Sequence, residues 1–381
     1  MDKNSRILIS GAGIAGLTCA IWLGRKGFRP VVIEKSPTIR ADGYIISLSH
    51  ASYRYARELG LLEKIVAKDS GIRESSYHDR RGKTMLTLDY SGLFSGIDVV
   101  QIMRDDLQGI LHEAAAEFAD IRLATSIAEI TQDNDEVQVI FNDGRREIFD
   151  LVIGADGLHS NTRTLAFAEK IMTKHYLGLF SSAYRLPNTL GMQQRFENHM
   201  ERSRYMCVYT TRDDDLACVF IWQSDEKIAP SATERYAALK SSYADAPVIV
   251  QQVLESFPQD RDVYMDPLMQ IEMRHWRQGN VVLTGDAAHC LTLLSGQGAS
   301  SAFWGACTLA QALVFYPKAE AMDAYENSFR PTIDKIQPAT RLAAKWYVPR
   351  TQLRYMLRDS AMRYLPDSYF QRYFKSKYSK A

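Results

Sequence analysis

Asp286 stands one residue past the apolar run "NVVLT", second in the stretch "GDAAHCLTLLSGQGAS" from Gly285 to Ser300. A carboxylate at a strand end can accept hydrogen bonds from hydroxyl groups, and a buried one without such donors is costly. The stretch closes on Ser295, Gly296, Gln297, Gly298 and Ala299 just before the helical pattern "SAFWGACTLAQAL". A helix start of this kind turns free N–H groups and a positive dipole end toward negative charge. A second glycine loop lies near the start of the chain, "GAGIAG", comprising Gly11, Ala12, Gly13, Ile14, Ala15 and Gly16. Its glycines permit a tight turn, close approach of a diphosphate and close helix–strand packing. The strand that follows, "PVVIEK", ends in Glu34 and Lys35. Glu34 is placed to accept from ribose hydroxyls and to repel a 2′-phosphate, so the loop is expected to hold FAD or NAD rather than NADP. A third segment, "DLVIGADGLHSNTR", ends a strand in Asp156 and Gly157.

These residues need parallel strands behind them. "RILIS", the glycine loop, "LTCAIWLGRKG" and "PVVIEK" read as a βαβ unit. "ASYRYARELGLLEKIVA" and "RDDLQGILHEAAAEF" carry helical spacing, while "TMLTLDY" and "DVVQIM" are strand-like. "EVQVIF", the turn "NDGR" and "REIFDLVIGAD" predict a hairpin whose second strand runs on to Asp156. Alternating runs such as "GLFSSAYRL", "SRYMCVYTT" and "DLACVFIWQS" predict a mostly antiparallel sheet, followed by helices in "ATERYAALKSSYA" and "APVIVQQVLESF". The expected architecture is α/β: a discontinuous nucleotide-binding domain (residues 1–75, 100–170 and 276–338) with an inserted β-sheet substrate domain (76–99 and 171–275). A helical segment, 339–381, closes the chain.

Composition bounds the class. The chain is 46% hydrophobic and 24% charged with formal net charge +1, which gives no whole-protein argument for nucleic acid. The charge is uneven: ten Lys/Arg against two Asp lie between Arg341 and Ala381, so that tail carries +8 and the rest −7. Five scattered cysteines form neither a CxxC pair nor a metal-ligand spacing, so no metal is expected and a reduced, cytoplasmic setting is. No uninterrupted apolar stretch of about 18 residues is present.

Taken together, the three glycine-bearing motifs resemble those of the single-component flavoprotein monooxygenases, the p-hydroxybenzoate-hydroxylase-like family. "YENSFRPTIDKIQ" is similar to that family's Tyr-Glu…Arg-Pro helix pair after the flavin site, and the resemblance covers residues 5 to about 340. It implies a Rossmann-like FAD-binding domain. It also implies that NADPH or NADH reduces the FAD, that oxygen adds to give a C4a-hydroperoxide, and that one oxygen atom passes to an electron-rich aromatic or polycyclic enol or phenol. Carried over by position, Glu34 matches the ribose-binding acid, Arg104 an arginine contacting the cofactor from a helix start, and Asp286 the acid for the ribityl hydroxyls. Arg40 and Gly43 in "RADG" match a segment near flavin and nicotinamide. Two positions depart from the pattern: Leu293 stands where the family has Pro, and Gly305 where an acid is common. "LSGQGASSAFWGACTLA" and "SSAYRLPNTLGM" look like the tetracycline-inactivating monooxygenases, which implies a link to antibiotic resistance.

For the substrate, either face of "FSSAYRL" is a candidate wall, with Tyr184 on one and Arg185 on the other; Phe220, Trp222 and Leu293 complete the set. No protein residue is expected to act as an essential acid or base; His289 is expected to be structural, and His50 either approaches the ring or caps a helix. The tail has two readings, a helix packed over the domain junction or an interfacial segment attracted to anionic lipid; the first is favoured. Alternatives for the function are an FAD-dependent reductase or dehydrogenase on the same scaffold, or a non-catalytic flavin-binding protein.

Overall fold

The computed structural model describes residues 1–39, 43–133, 135–260 and 263–379. Its centre is a six-stranded sheet in which Ile7–Ser10 lies between Leu151–Gly154 and Val31–Ile33, all parallel. Val281–Leu283 extends the sheet beside Leu151–Gly154, and Asp120–Arg122 extends it beside Val31–Ile33. These strands are short and apolar because both faces are covered. The helix Ile14–Arg25 packs on the helix Gly298–Phe315, and eleven of its twelve residues are buried. A three-stranded antiparallel sheet (Ile127–Gln132, Val137–Phe141, Arg146–Phe149) and the pair Ile45–Ser49 with Val99–Met103 flank this unit.

The second large sheet has seven strands in the order Tyr264–Met273, Met172–Leu186, Leu216–Gln223, Arg204–Thr210, Arg195–Met200, Glu74–His78 and Thr84–Asp89. Its pairs are antiparallel except Arg195–Met200 with Glu74–His78, which is parallel. Period-two alternation gives it two apolar faces. The outer face carries Phe180, Tyr184, Phe220 and Trp222 under the helices Arg235–Ser242 and Val248–Glu255. The inner face carries Leu179, Ala183, Tyr205, Tyr209 and Val219.

Three elements differ from the sequence expectation. "REIFDLVIGAD" is two strands in two sheets, Arg146–Phe149 and Leu151–Gly154, because Asp150 turns the chain between them. "ASYRYARELGLLEKIVA" breaks at Gly60, whose φ of +60° ends the helix Ala51–Glu58 before Leu62–Val66. "YENSFRPTIDKIQ" is one stretch of a single 30-residue helix, Lys318–Tyr347, that runs through Pro331 and Pro338. Its first half buries Tyr325 and Phe329 in the nucleotide-domain core, and its last turns bury Ala344 beside the inner face of the large sheet. The helix therefore links the two cores. The following helix, Gln352–Tyr364, packs on Thr84–Asp89.

Candidate active site

The three glycine-bearing motifs emerge from the carboxyl ends of adjacent parallel strands, where open α/β sheets bind ligands. Backbone bonds hold the ends in line: Gly11 N–H donates to Ile33 O (2.7 Å), Ala155 N–H to Ser10 O (2.8 Å) and Thr284 N–H to Gly154 O (2.9 Å). In the first loop, a methyl group at Gly16 would sit 1.9 Å from the Gly11 carbonyl oxygen, and one at Gly11 2.5 Å from Ala155 O. Gly13 is the opposite case: a methyl there meets no atom within 4 Å. The loop is packed behind and open in front.

Glu34 braces this loop. Its carboxylate accepts from Ala12 N–H and from Ser36 N–H, each at 3.0 Å, and Lys35 beside it is exposed. Gln108, which sequence reasoning missed, donates from Nε2 to Ala12 O at 2.8 Å. Its position in the helix that Arg104 begins, four residues after that arginine, is the available signal. Asp156 uses its carboxylate within its own turn, accepting from Ser160 Oγ, from Thr162 N–H (2.8 Å) and from Thr162 Oγ1 (2.9 Å). It shapes the turn before the helix Asn161–Ala166, while Gly157 (φ +81°) leaves open space where a side chain would be. Buried Arg163, also missed, ties this motif to the next by donating to Leu158 O (2.6 Å) and Ala287 O (2.8 Å).

The second loop is shaped by Ser295, whose Oγ donates to Thr292 O (2.9 Å) and accepts from Gln297 N–H (3.0 Å), with Gly296 left-handed. Gln297 occupies the N-cap position of the helix Gly298–Phe315, its carbonyl accepting from Ser301 N–H at 2.9 Å. Ser300 pins that helix start to the strand Ile45–Ser49, donating to Ser47 O at 2.8 Å and accepting from Ser49 N–H at 3.1 Å. Gly285 (φ +60°) brings the strand end against Ala15, Gly298 faces open space, and Ala299 is half-buried beside it. Gly305 stands where an acid is common because a methyl there would already lie 2.8 Å from the Phe329 ring.

Between the loops, Asp286 is solvent-accessible by area, yet protein surrounds it closely enough that burial raises its pKa; Arg104 and the Cys290 thiol oppose the rise. A carboxylate with both properties faces an enclosed cleft. Tyr44 shares the cleft: burial pushes its phenol up to about 12, with Arg104 opposing and Asp286, Cys290 and Asp266 adding to the rise. Its ring lies 5.9 Å from that of Tyr264, and its carbonyl accepts from Arg104 N–H at 3.1 Å. Among the described residues the Arg104 guanidinium forms no ion pair or hydrogen bond, and Asp286 has only Cys290 as a hydrogen-bonding neighbour. A cation without a hydrogen-bond partner and a carboxylate that has only a thiol, set near each other beside glycines with open space, fit the diphosphate and polyhydroxyl chain of FAD. Gly43 packs on Arg104 and Asp105, with a would-be methyl 3.0 Å from Arg104 Cβ. Arg40 lies outside the described residues.

His289 is packed in the core. Burial lowers its pKa to about 3, and its ring packs 4.9 Å from Trp276 and 5.4 Å from Phe329. His50 precedes the helix Ala51–Glu58 with φ +56°, in a capping position.

The substrate candidates divide by face. Tyr184, Phe220 and Trp222 lie on the outer face, away from the cleft, and are corrected to core residues. Tyr184 stacks on Phe220 at 5.8 Å and donates to Val253 O at 2.9 Å, while Phe220 meets Tyr243 at 5.0 Å. Arg185, one residue on, points inward and bonds the Asp105 carboxylate at 2.8 and 3.1 Å, bridging sheet and nucleotide domain. Leu293 and Leu294 pack with Tyr44 against the inner-face cluster. That face adds Tyr209, whose hydroxyl accepts from Ile45 N–H at 2.8 Å and which stacks on Phe196 at 4.8 Å.

Comparison with known proteins agrees with this geometry. A flavin-dependent monooxygenase of an unknown prokaryotic organism is 35% identical over 81% of each chain. One from Legionella longbeachae is 33% identical over 81% of this chain and 80% of its own. The crystal structure of the tetracycline destructase Tet(51) superposes with a TM-score of 0.84 at 25% identity, covering 99% of both chains. Residues 4–338 match the FAD binding domain family, and the chain belongs to it as an FAD-dependent monooxygenase.

Proposed function

We propose that this monooxygenase hydroxylates a polycyclic enol or phenol of the tetracycline kind, with NADPH or NADH as reductant and O2 as oxygen donor. The observation that carries the proposal is the enclosed cleft of Asp286, Arg104 and Tyr44, lying between two glycine loops and against an aromatic sheet face. Bound FAD would supply the transfer of two electrons from the nicotinamide to oxygen. One oxygen atom then enters the substrate and the other leaves as water, taking the two electrons and two protons supplied by the reductant and the medium. Chain residues supply placement: Arg104 and the N–H groups of the first loop for the diphosphate, Glu34 for the ribose, and Asp286 for the ribityl hydroxyls. The helix Gly298–Phe315 aims its free N–H groups and positive dipole end at the cleft, where they would stabilise negative charge on a reduced ring. Tyr44 keeps its proton at neutral pH and offers an O–H to a substrate oxygen, while Leu293, Leu294 and the inner-face aromatics exclude water. The likeness to Tet(51) supports a polycyclic substrate. The free buried cysteines support a cytoplasmic location.

The test uses purified holoprotein, whose flavin should absorb near roughly 450 nm. Tetracyclines, anthraquinones and simple phenols are screened for stimulation of NAD(P)H oxidation with matching oxygen uptake. Stimulation by a polycyclic phenol with a hydroxylated product is expected. Substrate-dependent NAD(P)H oxidation without oxygen uptake would make the chain a reductase and overturn the proposal.

A further inference from the structure

The helix Gln352–Tyr364 is turned inside out. Leu353, Met356, Leu357 and Tyr364 are 68%, 57%, 50% and 83% exposed. They fall at i, i+3, i+4 and i+11, which is one face of an α-helix. The opposite face buries a charged pair: Arg358 donates to the Asp359 carboxylate at 2.8 and 3.0 Å and to Tyr347 O at 2.9 Å. Met362 completes that inward face, and Arg363 bonds Asp79. A helix held only by its contacts to the sheet would be expected to bury its leucines and expose its charges. This one spends its polar side on the sheet and presents its apolar side outward. Leu342 and Trp346, at i and i+4 in the last turns of the preceding helix, are exposed too, as are Leu365 and Tyr369 just beyond.

We propose that this outward face is a docking surface for an anionic lipid bilayer. Charge selects the occupant. The segment from Arg341 onward carries +8 by sequence while the rest of the chain carries −7; Arg341, Arg350 and Arg363 pair with Glu272, Asp225 and Asp79 outside it, which leaves +5 in the segment whose apolar residues are exposed. Two copies meeting through this face would bring +5 against +5, whereas an anionic surface attracts it. Trp346, Tyr364 and Tyr369 are the residue types that settle at a membrane boundary, and Lys345 and Arg354 stand exposed among them. Among the described residues no helix is long and apolar enough to cross a membrane, so the chain lies on the surface and does not span it. Sequence periodicity favoured packing against the protein, and the structure assigns that to one side of the helix and lipid to the other.

The test is co-sedimentation of the FAD-loaded full chain with phosphatidylcholine vesicles, with and without phosphatidylglycerol, at low and high salt. Binding is expected only with phosphatidylglycerol, and weaker at high salt. Leu353→Asp with Leu357→Asp should cost tenfold or more in vesicle affinity, and Arg354→Glu roughly fivefold or more. Val248→Asp, an equally exposed apolar site on another helix, should change neither binding nor flavin content. Because both leucines are exposed, the double variant is expected to keep its flavin and melting temperature. If it loses its fold, Leu353→Ser with Leu357→Ser takes its place under the same expectation. No binding to anionic vesicles, equal binding to neutral ones, or binding untouched by the leucine variants overturns the proposal. So does a dimer in light scattering that the leucine variants split, which would assign the face to a second copy.

Discussion

The two glycine loops solve opposite problems. The loop Gly11–Gly16 is braced by the protein behind and open in front: Glu34 accepts from its Ala12 N–H, Gln108 donates to its Ala12 carbonyl, and its rear glycines are in contact with backbone. The loop Gly285–Gly298 carries an enclosed carboxylate, Asp286, whose pKa is raised by burial and which no described N–H group satisfies. The first acid is already engaged by the folded chain, whereas burial penalises the second without a described N–H group in return. A site that costs the free protein something is the better pointer to a ligand.

The contrast can be broken most severely at Gly16. Gly16→Ala sets a methyl 1.9 Å from a backbone oxygen that no rotamer change can relieve, so the variant should be insoluble or flavin-free. A soluble yellow Gly16→Ala protein would refute the steric account of the first loop.

The next largest effect separates the two acids. Asp286→Asn should weaken FAD binding by about 3 kcal/mol, or ~100-fold, the worth of one or two hydrogen bonds to a charged group. Its apo form should melt no lower than the parent. The sign follows from the shift: a carboxylate with a raised folded pKa stabilises the fold only while protonated, and that contribution is lost as pH rises through the folded pKa. At neutral pH the charged form is penalised, and Asn removes the penalty. Glu34→Gln should instead lower apo stability by about 1–3 kcal/mol, because a backbone N–H loses its acceptor. Calorimetric titration with FAD and apo melting curves measure both; a large apo destabilisation by Asp286→Asn would erase the distinction.

Acid should strike the surroundings of the second loop. His289, behind it, is held neutral down to about 3 and His199, in the large sheet, down to about 4, both by burial. A lowered pKa contributes stability that is intact above the ordinary value of 6.5 and is lost as pH falls toward the folded value. Each histidine should cost about 1.4 kcal/mol per pH unit in that window. Denaturant melts between neutral pH and the acid range should show this slope, and His289→Gln should flatten it by about half. An unchanged slope in that variant would contradict the assignment.

The smallest effect lies at the open face of the first loop. Gly13→Ala meets no atom and keeps an ordinary φ of −83°, so the apo protein should melt as the parent does. The methyl stands where the diphosphate must approach, and FAD affinity should fall by about 1.4 kcal/mol, or ~tenfold. Unaltered FAD affinity would move the diphosphate away from Gly13.

Much of this was legible because it is local. Strand, glycine turn, helix and acid follow one another within residues 7–34, and their meaning depends on spacing alone. The architecture of a parallel sheet with an inserted antiparallel one was legible for the same reason, through continuous against alternating apolar runs. The faces of the large sheet were not. Alternation puts Tyr184 and Arg185 on opposite sides, but the helices that bury Tyr184 lie some fifty residues downstream and nothing near it marks which side they cover. Gln108 and Arg163 were missed because their partners, Ala12 O and Ala287 O, are about a hundred residues away in sequence. Asp150 hid a strand break because one polar residue in an apolar run is as common in a single strand as between two.

Oxygenation of a polycyclic phenol in the flavin cleft, as proposed, has a direct test. Turnover of a tetracycline by the holoprotein with NADPH under 18O2, followed by mass spectrometry of the product, tests it most directly. A product carrying one 18O atom from the gas is expected, with oxygen consumed in step with substrate. A product without 18O, or NADPH oxidation that no polycyclic phenol stimulates, would contradict it.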